Sequence, residues 1–381
     1  MPVIPIQRLI LSIGLVLLFL RSLTAEEAVY RSSLESPHFE VVGRELRSVS
    51  FVAELASYLV EANSSILSDV PPSFHQRILI VLREQDDRDF SGDYRISRSP
   101  GGFVRLDITW HEGLSLERCL QAVNESFVFR YVIYNYGSEA PEKMKAWAVA
   151  ALAAEAYIGL RPTMVEVYKN TVGALPVSDL SEMLAEPYAP DLTTVELRAI
   201  YPMLSGLRDD ALPLSEYSKL VAAGLRGAEV ALELEALIAD QGLKEEPITL
   251  EEWWMRACVN FINTDTNLYE TMAVSQSWIR EMADFSVLEA LQIPNLRALW
   301  NLRYNPEVRD ILAARLELIR LRLDSVNPAY FNAARALGAL YETLLNGGRK
   351  HEFIFALSVY LSDYDDTASL ELKVAQTLAG R

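Results

Sequence analysis

The sequence predicts an α+β N-terminal region followed by an all-α helical region, predominantly helical overall. Three observations carry this. The alternating or β-branched runs lie within the first 110 residues, apolar spacing changes to threes and fours from residue 116, and no segment beyond residue 161 reads as a strand.

Residues 38–42 (HFEVV) alternate and predict a strand. Over 44–67, Val52, Leu55, Tyr58, Leu59, Ala62 and Ile66 recur at threes and fours, the stripe of an amphipathic helix that Pro71 and Pro72 prevent from continuing. Residues 78–82 (ILIVL) predict a central strand, 85–93 a polar loop and 103–110 (FVRLDITW) a third strand. Helices are expected over 116–136, with Cys119, Leu120, Val123, Phe127 and Tyr131 on one side, and over 142–158 behind Pro141. Beyond 161 the prolines, Pro202 among them, predict short helices and turns. Thr249 and Glu252 have capping-box spacing ahead of Trp253 and Trp254. Asn305-Pro306 and Asn327-Pro328 each predict an N-cap followed by proline at the first helical position, and Asn346-Gly347-Gly348 predicts a helix end. A last pair of helices is expected over 351–360 and 369–378, joined by a solvated turn containing Asp363, Asp365 and Asp366.

At the N-terminus, Arg8 precedes an apolar run over 9–20. This run is shorter than the roughly 20 residues a spanning helix needs. Small and polar residues then lead to Ala25, the pattern of a secretory signal peptide over 1–25. The expected localisation is therefore export, periplasmic or secreted, with an uncleaved N-terminal membrane anchor as the alternative. The expected units are the signal, 26–160, a helical subdomain over 161–290 and C-terminal helical hairpins over 291–381. The formal net charge is −17, and −19 without Arg8 and Arg21. Such a surface lacks the basic footprint that nucleic acid requires and does not favour anionic lipid. Only Cys119 and Cys258 are present, too few for a zinc ribbon, and buried free thiols are the favoured reading.

Within residues 36–157, the strand SPHFEVV, a long helix, the strands RILIVL and RLDITW, and two further helices occur in the order of one known family. The second of these helices carries Asn124-Glu125-Ser126-Phe127-Val128 and the next carries Trp147-Ala148-Val149-Ala150-Ala151-Leu152-Ala153. In order and in these anchors the region resembles the peptidase MA-like family, the gluzincin type of zinc metallopeptidase. That family has H-E-x-x-H on the first of the two helices and W-x-x-E-G-x-A on the second. Two His four apart share one helix face and bind one Zn²⁺, the intervening Glu activates the metal-bound water, and the Glu of the next helix is the third ligand. The resemblance implies that Glu125 is a vestigial general base and that Trp147 is a family anchor. It also implies that the ligand positions are Asn124, Val128 and Ala150, none of which holds zinc. The chain is accordingly expected to be a degenerate member without metal or cofactor.

No register restores the motif, because His occurs only at 38, 75, 111 and 351. His111-Glu112 and His351-Glu352 lack a second His four residues on. No nucleophile elbow, Walker A loop or dinucleotide fingerprint is present. Another reading of Glu125 is a carboxylate on a half-exposed helix face, bonded to Asn124 or Tyr131. Trp253, Trp254, Trp278, Trp300 and Tyr304 are expected to pack in the core, with a peptide or carbohydrate platform as the other reading. The functional expectation is an exported, non-catalytic protein that binds a protein or peptide partner in the cell envelope. The alternative is a metal-independent hydrolase using carboxylates such as Glu125.

Overall fold

A computed structural model describes residues 29–32, 36–87, 90–99, 101–190, 192–209, 213–240, 248–264, 269–285 and 293–379. The expected signal over 1–25 lies outside them. Among the described residues no helix is long and apolar enough to cross a membrane.

The α+β region is built on strands β1 (Tyr30–Arg31), β2 (Phe39–Gly43), β3 (Ile78–Arg83), β4 (Tyr94–Arg98) and β5 (Val104–Thr109), in the order β1-β2-β3-β5-β4. β2, β3 and β5 run parallel, while β1 and β4 are antiparallel edges. Register places Val41 opposite Ile80, and Ile80 opposite Leu106. The inward residues Phe39, Val41, Ile78, Ile80, Leu106 and Ile108 therefore line one buried face. β1 and β4 are additions to the expected strands. β4 reads YRISR, and its exposed Arg and Ser residues, suited to an unpaired edge, mask the alternation.

Helices α1 (Leu46–Ser64), α2 (Leu116–Tyr136) and α3 (Ala146–Leu160) follow. Ser115 caps α2 by accepting the Arg118 N–H at 3.1 Å. α3 begins later than the expected 142, because Ala140–Lys143 forms a separate 3-10 turn. It is buried on nearly every side, as its Ala-rich sequence allows. Five helices wrap it or its neighbours: α4 (Val165–Ala174), α5 (Leu180–Ala185), α6 (Thr194–Asp209), α7 (Leu214–Leu225) and α8 (Ala231–Asp240). α6 runs straight through Pro202, contrary to the expected break. Its buried residues Leu197, Ile200, Leu204 and Leu207 lie on both sides of the proline, so packing offsets the lost backbone hydrogen bond. α9 (Leu250–Asn263) starts at the expected capping box. Thr249 accepts the Glu252 N–H, and Glu252 accepts the Thr249 N–H at 2.9 Å.

One hydrophobic core extends from Phe39 to Phe261. A second holds α10 (Met272–Ala283), the single turn α11 (Leu299–Leu302), α12 (Pro306–Arg322), α13 (Phe331–Leu345) and α14 (Lys350–Ala379). Its buried residues run from Trp278 to Tyr360. Asn305 caps α12 as its sequence predicts, accepting the Val308 N–H at 3.2 Å. Asn327-Pro328 instead form a turn, and α13 starts at Phe331. Asn327 uses its side chain to accept the Ala329 N–H and donate to the Glu270 carbonyl, which draws it away from a helix cap. α13 ends at Leu345 with Asn346 as its C-cap and Gly347 at φ +71°, and the Gly348 N–H reaches back to the Thr343 carbonyl at 2.8 Å. The expected final helix pair is one continuous helix. No Gly or Pro interrupts 361–371, and Thr367 bonds back to Asp363 within the turn. The two cores meet where α12 lies on α1, with Phe51 packed against both. Beneath it, buried Arg315 bonds to Glu54 at 3.4 Å and to the Met282 and Asp284 carbonyls at 2.9 and 3.0 Å.

Candidate functional site

The site suggested by the sequence lies where α2, α3 and the sheet edge converge. Asn124 sits on α2 with Val128 one turn on, and both are fully buried. The Asn124 amide donates to the Val149 carbonyl at 3.2 Å, which places it beside Ala150 on α3. Its oxygen accepts the Asn63 amide of α1 at 2.9 Å. Asn124 and Ala150, two of the three positions that the resemblance would make zinc ligands, thus meet at one helix junction, with Val128 one turn along α2. The three positions are occupied by an amide network, a Val and an Ala, none of which offers a metal more than a neutral amide oxygen already in use. Among the described residues no group of three or more His, Cys, Asp or Glu side chains could hold a metal ion.

Glu125 is 1% exposed, not half-exposed, and its partners are neither Asn124 nor Tyr131. One oxygen accepts the Tyr94 hydroxyl at 2.6 Å and the Gln121 amide at 2.9 Å, while the other accepts the Tyr188 hydroxyl at 2.6 Å. These donors come from the sheet edge β4, from the preceding turn of α2 and from the segment between α5 and α6. A backbone clasp positions the last: Tyr188 N–H donates to the Met144 carbonyl at 2.7 Å, and Ala146 N–H to the Glu186 carbonyl at 3.0 Å. Further along the segment, the Leu192 carbonyl accepts from both Gln121 and Arg118. Arg118 in turn stacks over the Tyr94 ring at 4.7 Å and pairs with Asp93 at 3.0 Å. Residues 186–190 and 192 therefore close over the carboxylate. A general base needs a heavy-atom approach of about 3 Å to the group it deprotonates, and this closure blocks that approach.

Beside the closure lies an apolar cavity of about 260 Å³ between α3 and α6. Ala146, Trp147 and Ala150 form its floor, Leu192 and Ile200 line a wall, and Glu186 and Glu196 bring carboxylates to it. Glu196 already accepts the Thr193 N–H. Trp147 is buried, and its indole nitrogen has no acceptor among the described residues. The indole packs so close to Gly224 that a Cβ there would stand 2.5 Å from it, which explains glycine at that position.

The remaining candidates are scattered. His38 is tied to the Pro71 carbonyl at 2.8 Å, and His351 is exposed on α14. Cys119 and Cys258 are free and buried, and burial pushes their thiols up to about 12 and about 11. Trp253, Trp254 and Trp278 are core residues as expected. Tyr304 is exposed, and Arg303 lies over both it and Trp300 at 4.3 and 3.9 Å. Sequence reasoning missed Tyr94, Tyr188 and Gln121. Gln121 could have been found one turn before Glu125 on the same helix face, whereas the two tyrosines are brought in only by tertiary contacts. No protein-family model, no curated protein and no solved structure matches the chain.

Proposed function

We propose that the protein is an exported, non-catalytic relative of gluzincin peptidases that binds a peptide segment of a partner protein in the cell envelope. The observation that carries this reading is the pairing of a closed Glu125 with an open apolar cavity at the neighbouring Ala150 and Trp147. A working peptidase needs an accessible base and a set of metal ligands; Glu125 is enclosed by its own hydrogen bonds, and Asn124, Val128 and Ala150 supply no such set. A binding protein needs a cavity that accepts side chains, and one lies beside them. Export is supported by the charge and hydropathy pattern over 1–25. The carboxylates of Glu186 and Glu196, on a chain of net charge −17, favour a peptide that places an apolar side chain in the cavity and a Lys or Arg next to it. The alternative of a metal-independent hydrolase using Glu125 finds no support in a carboxylate that three donors hold away from any substrate.

The test uses the purified chain without residues 1–25. It is dialysed against trace zinc, its metal content is measured by mass spectrometry, and it is titrated with an array of Leu/Phe peptides with and without flanking Lys. The expected result is no stoichiometric zinc, together with saturable binding of the Lys-flanked peptides that Ala150→Trp abolishes. Stoichiometric zinc with proteolysis sensitive to Glu125→Gln, or peptide binding indifferent to Ala150→Trp, would overturn the reading.

A further inference from the structure

A second cavity, of about 370 Å³, opens on the other end of α3 between α1, α6 and α7. Its volume is that of a small-molecule pocket, and its wall combines features that structural packing alone leaves unexplained. The apolar part is made by Ile66, Leu204 and Leu207. Set among them is a contacting pair of opposite charges, with Arg208 bonded to the Glu155 carboxylate at 3.0 Å and to the Tyr201 hydroxyl at 2.9 Å. Two further wall residues carry buried polar atoms that have no partner among the described residues: the Tyr217 hydroxyl and the Asn63 side-chain oxygen. Asn63 is fully buried and Tyr217 is 9% exposed. A buried polar group left without a partner costs about 1–3 kcal/mol, so two of them at one cavity point to a ligand that completes them.

The unmet groups define the chemistry. The Asn63 oxygen needs a donor and the Tyr217 hydroxyl needs an acceptor. The Glu155–Arg208 pair offers one charge of each sign side by side, and a complementary ligand carries an ammonium and a carboxylate at the same close spacing. An α-amino acid has this arrangement, with both groups on one carbon, and the Leu- and Ile-lined space beside the pair suits an apolar side chain. We propose that this cavity binds a free α-amino acid with a branched or aromatic apolar side chain. Its ammonium is held by Glu155 and the Asn63 oxygen, and its carboxylate by Arg208 and the Tyr217 hydroxyl. The site is separate from the cavity at Ala150 and does not depend on the peptide-binding reading.

Calorimetric titration of the purified chain with L-leucine tests this, beside 4-methylpentanoate, which lacks the amine, and 3-methylbutylamine, which lacks the carboxylate. L-leucine should bind saturably at one site, and each single-headed analogue should bind at least about tenfold more weakly, since each lost charged hydrogen bond amounts to roughly a factor of ten or more. Tyr217→Phe removes only an oxygen that has no partner among the described residues. It should leave the unfolding temperature equal or higher while weakening L-leucine about tenfold. Glu155→Gln, checked for folding by circular dichroism, should weaken L-leucine as well. No saturable binding of L-leucine below about 10 mM would overturn the proposal. So would analogues that bind as well as L-leucine, or an unchanged affinity in folded Tyr217→Phe.

Discussion

At the scale of single residues, the buried carboxylates show how one residue type serves different ends. Glu125 is satisfied by two phenols and an amide. Glu125→Gln replaces an acceptor-only group by one that must point an NH₂ at one of these donors. Stability should fall by about 1–3 kcal/mol, read as a lower urea midpoint. Asp107, 1% exposed on β5, is held differently. Burial pushes its carboxyl up, but bonds and charge from Arg105 and Arg83, at 2.8 and 2.5 Å, outweigh this and hold it below its ordinary 3.8. Its folded pKa is thus depressed. The stability it contributes is complete above the unfolded value near 3.8 and is lost as pH falls through the lower folded value. Urea midpoints measured from pH 6 downward should decline more steeply below pH 3.8 in the wild type than in Asp107→Asn; equal slopes would show that the pair carries no such linkage. Of these residues, the sequence singled out Glu125 through the likeness of residues 124–128 to a motif. The donors on Glu125 could not be read, because Tyr94 and Tyr188 stand 31 and 63 residues from it.

At the scale of elements, local chemistry was legible wherever a helix end is set by neighbouring side chains. The Thr249–Glu252 box and the Asn305 cap are both formed as their spacing predicts. Thr249→Ala should destabilise the protein by about 1 kcal/mol, because α9 carries the buried Trp253 and Trp254 into the first core; a midpoint unchanged in urea would mean that packing alone holds the helix. Elements were illegible where long-range packing overrules a local signal. Pro202 remains inside α6 because buried leucines flank it on both sides. The acidic stretch around Asp365 remains helical because α14 continues along α13, where Tyr330 of the preceding turn donates to Glu371 at 2.6 Å. β4 was hidden for the opposite reason: an edge strand with one solvated side needs few apolar residues.

At the scale of the whole molecule, two hydrophobic cores share the α1–α12 contact. Arg315 stands in it with 3% of its side chain exposed, over the Phe285 ring at 4.2 Å and bonded to two carbonyls and Glu54. Removing one partner of a buried charge pair costs about 3–5 kcal/mol. Arg315→Ala should lower stability by this order and separate the unfolding of the C-terminal helices from that of the α+β unit. Scanning calorimetry is then expected to give one transition for the wild type and two for the variant. A single transition in both would mean that the cores remain coupled through Phe51 and its neighbours alone.

The sequence by itself determined the class of the fold, the three central strands, the principal helices and most caps. These follow from apolar period and from side chains within four residues of one another, interactions the chain makes with itself locally. It also located the Asn124–Glu125–Val128 and Ala150 positions by likeness to a motif. Only the tertiary structure decided that Glu125 is enclosed and that Asn63 joins Asn124 across two helices. It alone placed two cavities along α3, one at Ala150 and one between Glu155, Arg208 and Tyr217. Burial and cavity shape depend on which distant segments meet, and a residue's exposure is a property of its neighbours in space rather than of its neighbours in the chain.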